Sequence, residues 1–136
     1  MSITPIKVLL IEDNRGDYEL ILKMLEKSES SEFELIHTLR LSSGIELLEN
    51  NTFDAILLDL GLPDSEGLES FNVVLKKHPE IPTIILTGLA NEEIGIKAIK
   101  YGAQDYLVKG EFNGKLLIRA IQYAIERKKL EGLFIY

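Results

Sequence analysis

Four short apolar runs in this chain each stop at a residue that can do chemistry. Lys7-Val-Leu-Leu-Ile11 gives way to Glu12-Asp13-Asn14, and Ala55-Ile-Leu-Leu-Asp59 ends in a carboxylate. Thr83-Ile-Ile-Leu86 stops at Thr87-Gly88, and Asp105-Tyr-Leu-Val108 stops at Lys109. Strand ends are where open α/β sheets place their ligands. Three carboxylates brought within about 4 Å of one another would repel by roughly 4 kcal/mol per pair at an effective dielectric of 20, enough to raise their pKa values. A divalent cation removes that penalty. With no Cys in the chain and no His at these positions, the donors are oxygens, which suit Mg²⁺ first, Mn²⁺ second, and Zn²⁺ poorly. An Asp beside such a cation can attack phosphorus and form an acyl phosphate. Lys109 can then pair with phosphoryl oxygens and Thr87 can hydrogen-bond to one. Gly61 and Gly88 leave room for an anion and expose backbone groups beside it. The chemistry suggested is phosphoryl transfer onto Asp59.

The elements that must position these groups follow from apolar spacing and stop signals. Arg15 to about Ser28 reads as a helix with Asp13 or Asn14 as its N-cap. Phe33 to Leu39 reads as a strand, and Ser42 or Ser43 can cap a short helix through Glu49, ended by Asn50-Asn51. Leu68 to Lys77 is a helix stopped by His78-Pro79, because a residue before Pro is pushed out of the helical region. Glu92 to Tyr101 is a helix closed by Gly102, and Gly114 to about Leu130 is the last helix. With strands at Lys7–Ile11, Ala55–Asp59, Thr83–Thr87 and Asp105–Lys109, five strands alternate with five helices. Such alternation implies a doubly wound, five-stranded parallel sheet covered on both faces by right-handed crossovers, a three-layer α/β/α domain. The two strands that end in acids should be central neighbours, since the ligand crevice forms where the winding reverses.

Composition narrows the function classes. At 136 residues and 15.3 kDa the chain has the size of one domain. No apolar run approaches the roughly 20 residues that span a bilayer, and Met1 to Lys7 lacks the pattern of a secretory signal. A cytoplasmic protein without membrane contact is expected. Fifteen Lys and Arg stand against 22 Asp and Glu, a net charge of −7 that repels nucleic acid at long range, so direct binding to it is not expected. Arg127-Lys128-Lys129, flanked by Glu126 and Glu131, reads as a solvated helix end. His37 and His78 are expected to lie apart from the acidic rim.

On these residues the chain resembles the receiver domain of two-component response regulators along nearly its whole length, a family with a flavodoxin-like fold and strand order 2-1-3-4-5. Glu12-Asp13 is similar to the family's acidic pair, Asp59 to its phosphoacceptor, Thr87 to its hydroxyl, Tyr106 to its switch aromatic and Lys109 to its phosphate-pairing lysine. The resemblance implies Mg²⁺ held by the carboxylates of Asp13 and Asp59 and by the backbone carbonyl of Gly61, with Glu12 acting through water. It implies a histidine kinase or phosphotransfer protein as donor and a downstream output domain or protein as reader. It also implies no enzyme activity beyond self-catalysed transfer to Asp59 and slow autodephosphorylation. Residues 1–130 would be the receiver, and 131–136 a helix extension or the start of a missing downstream module. A homodimer through the last strand and helix face is a further option. Two positions depart from the family: Glu12 stands where many members have Asp, and Gly110 where Pro, often cis, is common. A non-proline cis bond costs roughly 3 to 4 kcal/mol, so a trans Lys109-Gly110 peptide is open.

Other readings are weaker. Acids at strand ends also cap helices, but that leaves the hydroxyl and lysine on the same rim without a purpose. A Mg²⁺-dependent phosphohydrolase of the haloacid dehalogenase type would need a second Asp two residues after Asp59, where Gly61 stands. A phosphorylation-independent interaction module would require a broken site, yet Asp59, Thr87 and Lys109 are present. A flavin-binding relative would need a Ser-, Thr- and Gly-rich loop after the first strand, where Glu12-Asp13 would repel the cofactor. Gly61 and Leu89 flank the acceptor and are expected to tune hydrolysis.

Overall fold

Residues 4–132 are described in a computed structural model of the chain. Residues 133–136, the apolar end of the expected extension, lie outside them. Five parallel strands form one sheet: β1 (Ile6–Ile11), β2 (Phe33–Thr38), β3 (Ala55–Asp59), β4 (Thr83–Thr87) and β5 (Asp105–Val108). Their spatial order is β2-β1-β3-β4-β5, as expected, so β1 and β3 are neighbours at the point where the winding reverses. Four helices connect successive strands, α1 (Arg15–Glu26), α2 (Leu41–Asn50), α3 (Gly67–Lys77) and α4 (Glu92–Lys100), and α5 (Gly114–Gly132) follows β5. Among the described residues, no helix is long and apolar enough to cross a membrane.

Side chains alternate across the strands, and the alternation sorts the core into two layers. Leu9, Ile11, Ile56, Leu58 and Ile85 pack with Leu48 of α2, Phe71 and Val74 of α3, and Ala98 of α4. Val8, Leu10, Leu57, Ile84, Leu86 and Leu107 pack with Ile21 and Leu25 of α1 and with Leu117, Ile121 and Ala124 of α5. β1, β3 and β4 are buried on both faces, which is why their sequences read as unbroken apolar runs rather than as alternating ones. Register pairs Ile11 with Leu58, Asp59 with Leu86 and Thr87 with Val108. The carboxyl ends of four strands are therefore level, and everything just beyond them shares one rim.

Local stop signals act mostly as read. The Asn14 side chain caps α1 by accepting from the Asp17 N–H at 2.9 Å, so Asn14 rather than Asp13 is the cap. Gly102 takes φ +120 after α4, a value that L side chains rarely adopt. The basic helix end is solvated and paired: Lys128 faces Glu131, Lys129 faces Glu126, and Arg127 donates to the Gln104 carbonyl.

The cap of α2 differs from expectation. Its N-cap position is Arg40, and neither Ser42 nor Ser43 closes the end. The Asp64 carboxylate does so from outside the helix, accepting from Leu41 N–H at 2.9 Å and Ser42 N–H at 3.0 Å. A two-strand hairpin not foreseen in the sequence, Gly61–Leu62 paired with Ser65–Glu66, presents Asp64 there. These hydrogen bonds lower the Asp64 carboxyl pKa below the ordinary carboxylate range. Asp64→Ala is expected to lower folding stability by about 1 kcal/mol, the usual worth of a cap, in urea unfolding at neutral pH.

Candidate functional site

The rim gathers its chemistry from elements far apart in sequence. Glu12 and Asp13 follow β1, Asp59 ends β3, Thr87 ends β4 and Lys109 follows β5. Carboxylate oxygens of Glu12, Asp13 and Asp59 lie within 4.8 Å of one another, a donor set of hard oxygens. Lys109 Nζ stands 2.7 Å from Glu12 Oε1 and donates to Asp59 Oδ2 at 3.1 Å. The backbone N–H of Gly61 donates to Asp59 Oδ1 at 3.1 Å, and that of Asn14 to Glu12 Oε2 at 3.1 Å. The Lys109-Gly110 peptide is trans, like every other peptide of the described residues, and Gly110 takes φ +85.

Burial and proximity divide the two inner acids. Glu12 is wholly buried; burial and the neighbouring Asp59 push its carboxyl up to about 8, against the opposing pull of Lys109 and the Asn14 N–H. Burial also pushes Asp59 up, but hydrogen bonds from Glu12, from the Gly61 N–H and from Lys109 outweigh it, so Asp59 lies below its ordinary value. The pair thus keeps one proton on Glu12 and leaves Asp59 ionised, the state a nucleophile needs. Burial works against a charged Lys109, yet Glu12, Asp17 and Asp59 overcome it and raise its pKa, so the ammonium stays charged.

Two buried polar atoms fit oxygen ligands. Glu12 Oε1 has Lys109 close by but no aligned hydrogen-bond donor, and Thr87 Oγ1 has no partner. Buried hydroxyls are nearly always paired, so an unpaired one beside a cluster of acids suits an anion or cation that completes it. Thr87 and Asp59 line a pocket of ≈ 500 Å³ with Gly61, Glu66, Gly88 and Asn91. A Cβ at Gly88 would meet nothing within 4 Å, so the approach is open as the sequence suggested. The larger hollow, ≈ 700 Å³, lies near Ser28–Phe33 at the opposite end of the sheet, away from these groups.

Tyr106 is half-buried on the side of α4, away from Lys109, and its hydroxyl donates to Glu92 Oε2 at 2.8 Å. Its ring lies on Gly95, where a Cβ would come within 2.9 Å of it.

Two residues were misread or missed. His37 is not apart from the rim: its Nε2 lies 2.7 Å from the Glu12 carbonyl oxygen, and its ring stacks on Tyr18 at 4.0 Å. The β1–β2 register, pairing Leu10 with His37, brings it there. Asp17, in the first turn of α1, lies 3.0 Å from Lys109 Nζ. The available signal was its place one turn after Asp13 on a helix that starts at the rim.

A doubly wound sheet with acids at its reversal point, and a lysine and an unpaired threonine hydroxyl beside them, defines a phosphoacceptor signalling domain of the flavodoxin-like class. The chain belongs to the response regulator receiver domain family, whose pattern matches residues 8–122. The cell cycle response regulator CtrA of Brucella ovis is 37% identical over 123 residues, 90% of this chain and 51% of that protein. The chain spans about half the length of the curated relatives it matches. A response regulator receiver domain protein from Clostridium thermocellum is 32% identical with TM-score 0.79, over 91% of this chain and 97% of that one. The receiver domain of NtrX from Brucella abortus is 26% identical with TM-score 0.78, over 88% of this chain and 98% of that one. The protein is therefore a receiver domain of two-component signalling.

The Glu12 carboxyl carries a stability consequence with a definite sign. The folded state holds a proton up to about pH 8 that the unfolded chain releases near 4.5. The stabilisation is complete below the lower value and is lost as pH rises through the higher. In chelator, the urea midpoint is expected to fall from about pH 5 to about pH 8. Glu12→Gln, which keeps a neutral side chain, should flatten most of that fall.

Proposed function

We propose that Asp59 accepts a phosphoryl group from a phosphohistidine on a histidine kinase or phosphotransfer protein. The observation that carries this reading is Asp59 bridged through Lys109 to a buried Glu12, beside the unpartnered Thr87 Oγ1. An Asp59 carboxylate oxygen attacks phosphorus. A P–O bond forms as the P–N bond breaks, and the electron pair returns to the donor imidazole. Lys109 moves from Asp59 Oδ2 to a phosphoryl oxygen, and the Thr87 hydroxyl donates to another. Asp13, Asp59 and the Gly61 carbonyl would hold Mg²⁺, or Mn²⁺ in its place, with Glu12 reaching it through water. Bound there, the cation neutralises the clustered carboxylates and the phosphoryl oxygens.

The reverse half of the cycle is slow hydrolysis. Water attacks phosphorus, the P–O bond to Asp59 breaks, and inorganic phosphate leaves with Asp59 restored as carboxylate. Beyond this self-directed chemistry we infer no enzyme activity. Thr87 and Tyr106 form the switch: withdrawal of the Thr87 side chain toward the phosphoryl group frees space that the Tyr106 ring can enter, at the expense of its bond to Glu92. Ile96 and Ile99 of α4 and Tyr123 of α5 are exposed around β5, a surface suited to a partner or a second copy of this chain. We assign residues 1–130 to the receiver unit, acting in the cytoplasm on a downstream output domain or protein, and residues 131–136 to an extension beyond it or the start of a downstream module.

Incubation with acetyl phosphate and Mg²⁺, followed by intact-mass spectrometry, is expected to show gain of one phosphoryl unit. Asp59→Ala and a chelator should each abolish it. Thr87→Ala should still be phosphorylated but should lose the accompanying change in the Tyr106 ring environment. Lack of gain with acetyl phosphate and with a phosphohistidine donor would overturn the reading.

A further inference from the structure

We propose that Asp17 is a positioning residue that acts through Lys109 and disfavours the phosphorylated state, an inference that rests on Asp59 being the acceptor. Lys109 Nζ stands 2.7 Å from Glu12 Oε1, 3.0 Å from Asp17 Oδ2 and 3.1 Å from Asp59 Oδ2. Three acidic side chains thus stand within ion-pair distance of one ammonium, of which Asp59 accepts its hydrogen bond. A phosphoryl oxygen that arrives at Lys109 competes with them for its charge. Glu12 is wholly buried and Asp59 gives Lys109 over to the phosphoryl group it carries, so Asp17 is the partner left to contest Lys109 with that group. It is the one of the three outside the cation-binding carboxylate group, and its side chain is 34% exposed, so it can turn toward water.

Asp17 cannot withdraw far. Its backbone N–H is tied to Asn14 Oδ1 at 2.9 Å and it stands in the first turn of α1, so its charge stays beside the rim. Phosphorylation replaces one negative charge on Asp59 with about two, and both the added charge and the contest for Lys109 act against Asp17. Asp17 therefore raises the donor concentration needed to load the domain while keeping Lys109 ordered between transfers.

The test compares the wild type with Asp17→Asn, which keeps the shape and removes the charge, and with Glu19→Gln. Glu19 lies on the same helix but pairs with Arg15 at 3.6 Å, away from Lys109, so it controls for net charge alone. At saturating Mg²⁺, the acetyl phosphate concentration that half-loads the protein should fall about threefold to tenfold in Asp17→Asn, with the gain shrinking at high salt. It should stay unchanged in Glu19→Gln. Equal half-loading in Asp17→Asn and wild type, or an equal gain in Glu19→Gln, would overturn the proposal. Should Asp59 take no phosphoryl group from any donor, the proposed function falls. Beryllofluoride affinity, followed through the Thr87 and Lys109 amide resonances, then decides the Asp17 question. Tighter binding in Asp17→Asn supports the role; equal or weaker binding ends it. A melting curve confirms that the variant is folded.

Discussion

The ammonium group of Lys109 is the interaction on which the rim depends. Without it, Glu12, Asp17 and Asp59 would face one another at the mouth of a buried sheet with no protein cation among them. Their mutual repulsion would then work against the level alignment of β1, β3 and β5. With it, the acids settle unequally. Glu12, fully buried, keeps its proton, and Asp59, served by three donors, keeps its charge. A site that must hold an acyl phosphate has to tolerate more negative charge than it carries at rest. A charged lysine and a protonated neighbour offset part of that charge at rest.

The backbone around the site is correspondingly tied down. The loop after Asp59 is folded into a hairpin, and its Asp64 is spent on the N-terminus of α2. The turn after β1 is held from the other side, where His37 reaches the Glu12 carbonyl while stacked on Tyr18 of α1. Both chain segments that carry the rim's acids are thus anchored to neighbouring elements, α2 in one case and β2 with α1 in the other. The side-chain layer is held more lightly: the Thr87 hydroxyl has no partner, the Tyr106 hydroxyl is bonded to Glu92 with its ring over Gly95, and the Lys109 head group is held by side chains alone.

The architecture and the principal site residues were legible in the chain because they depend on short-range pattern. Apolar runs of four or five residues name the strands, helical spacing names the helices, and Gly102 and the His78-Pro79 pair mark where helices stop. Strand ends in such a fold share one rim, so Glu12, Asp13, Asp59, Thr87 and Lys109 could be grouped from sequence order alone. Three features could not be read that way: the Asp64 cap on α2, the approach of His37 to Glu12, and the third carboxylate on Lys109. Each joins residues whose separation along the chain has no fixed relation to their distance in space.

The sequence by itself determined which elements form and which chemical groups stand at their ends, because backbone preference and apolar periodicity are local. The tertiary structure alone decided which acid holds the proton, which carboxylate caps which helix, and how many charges one lysine must serve. Those outcomes depend on burial and on distances of about 3 Å between segments far apart in the chain, and electrostatic energies change steeply over that range.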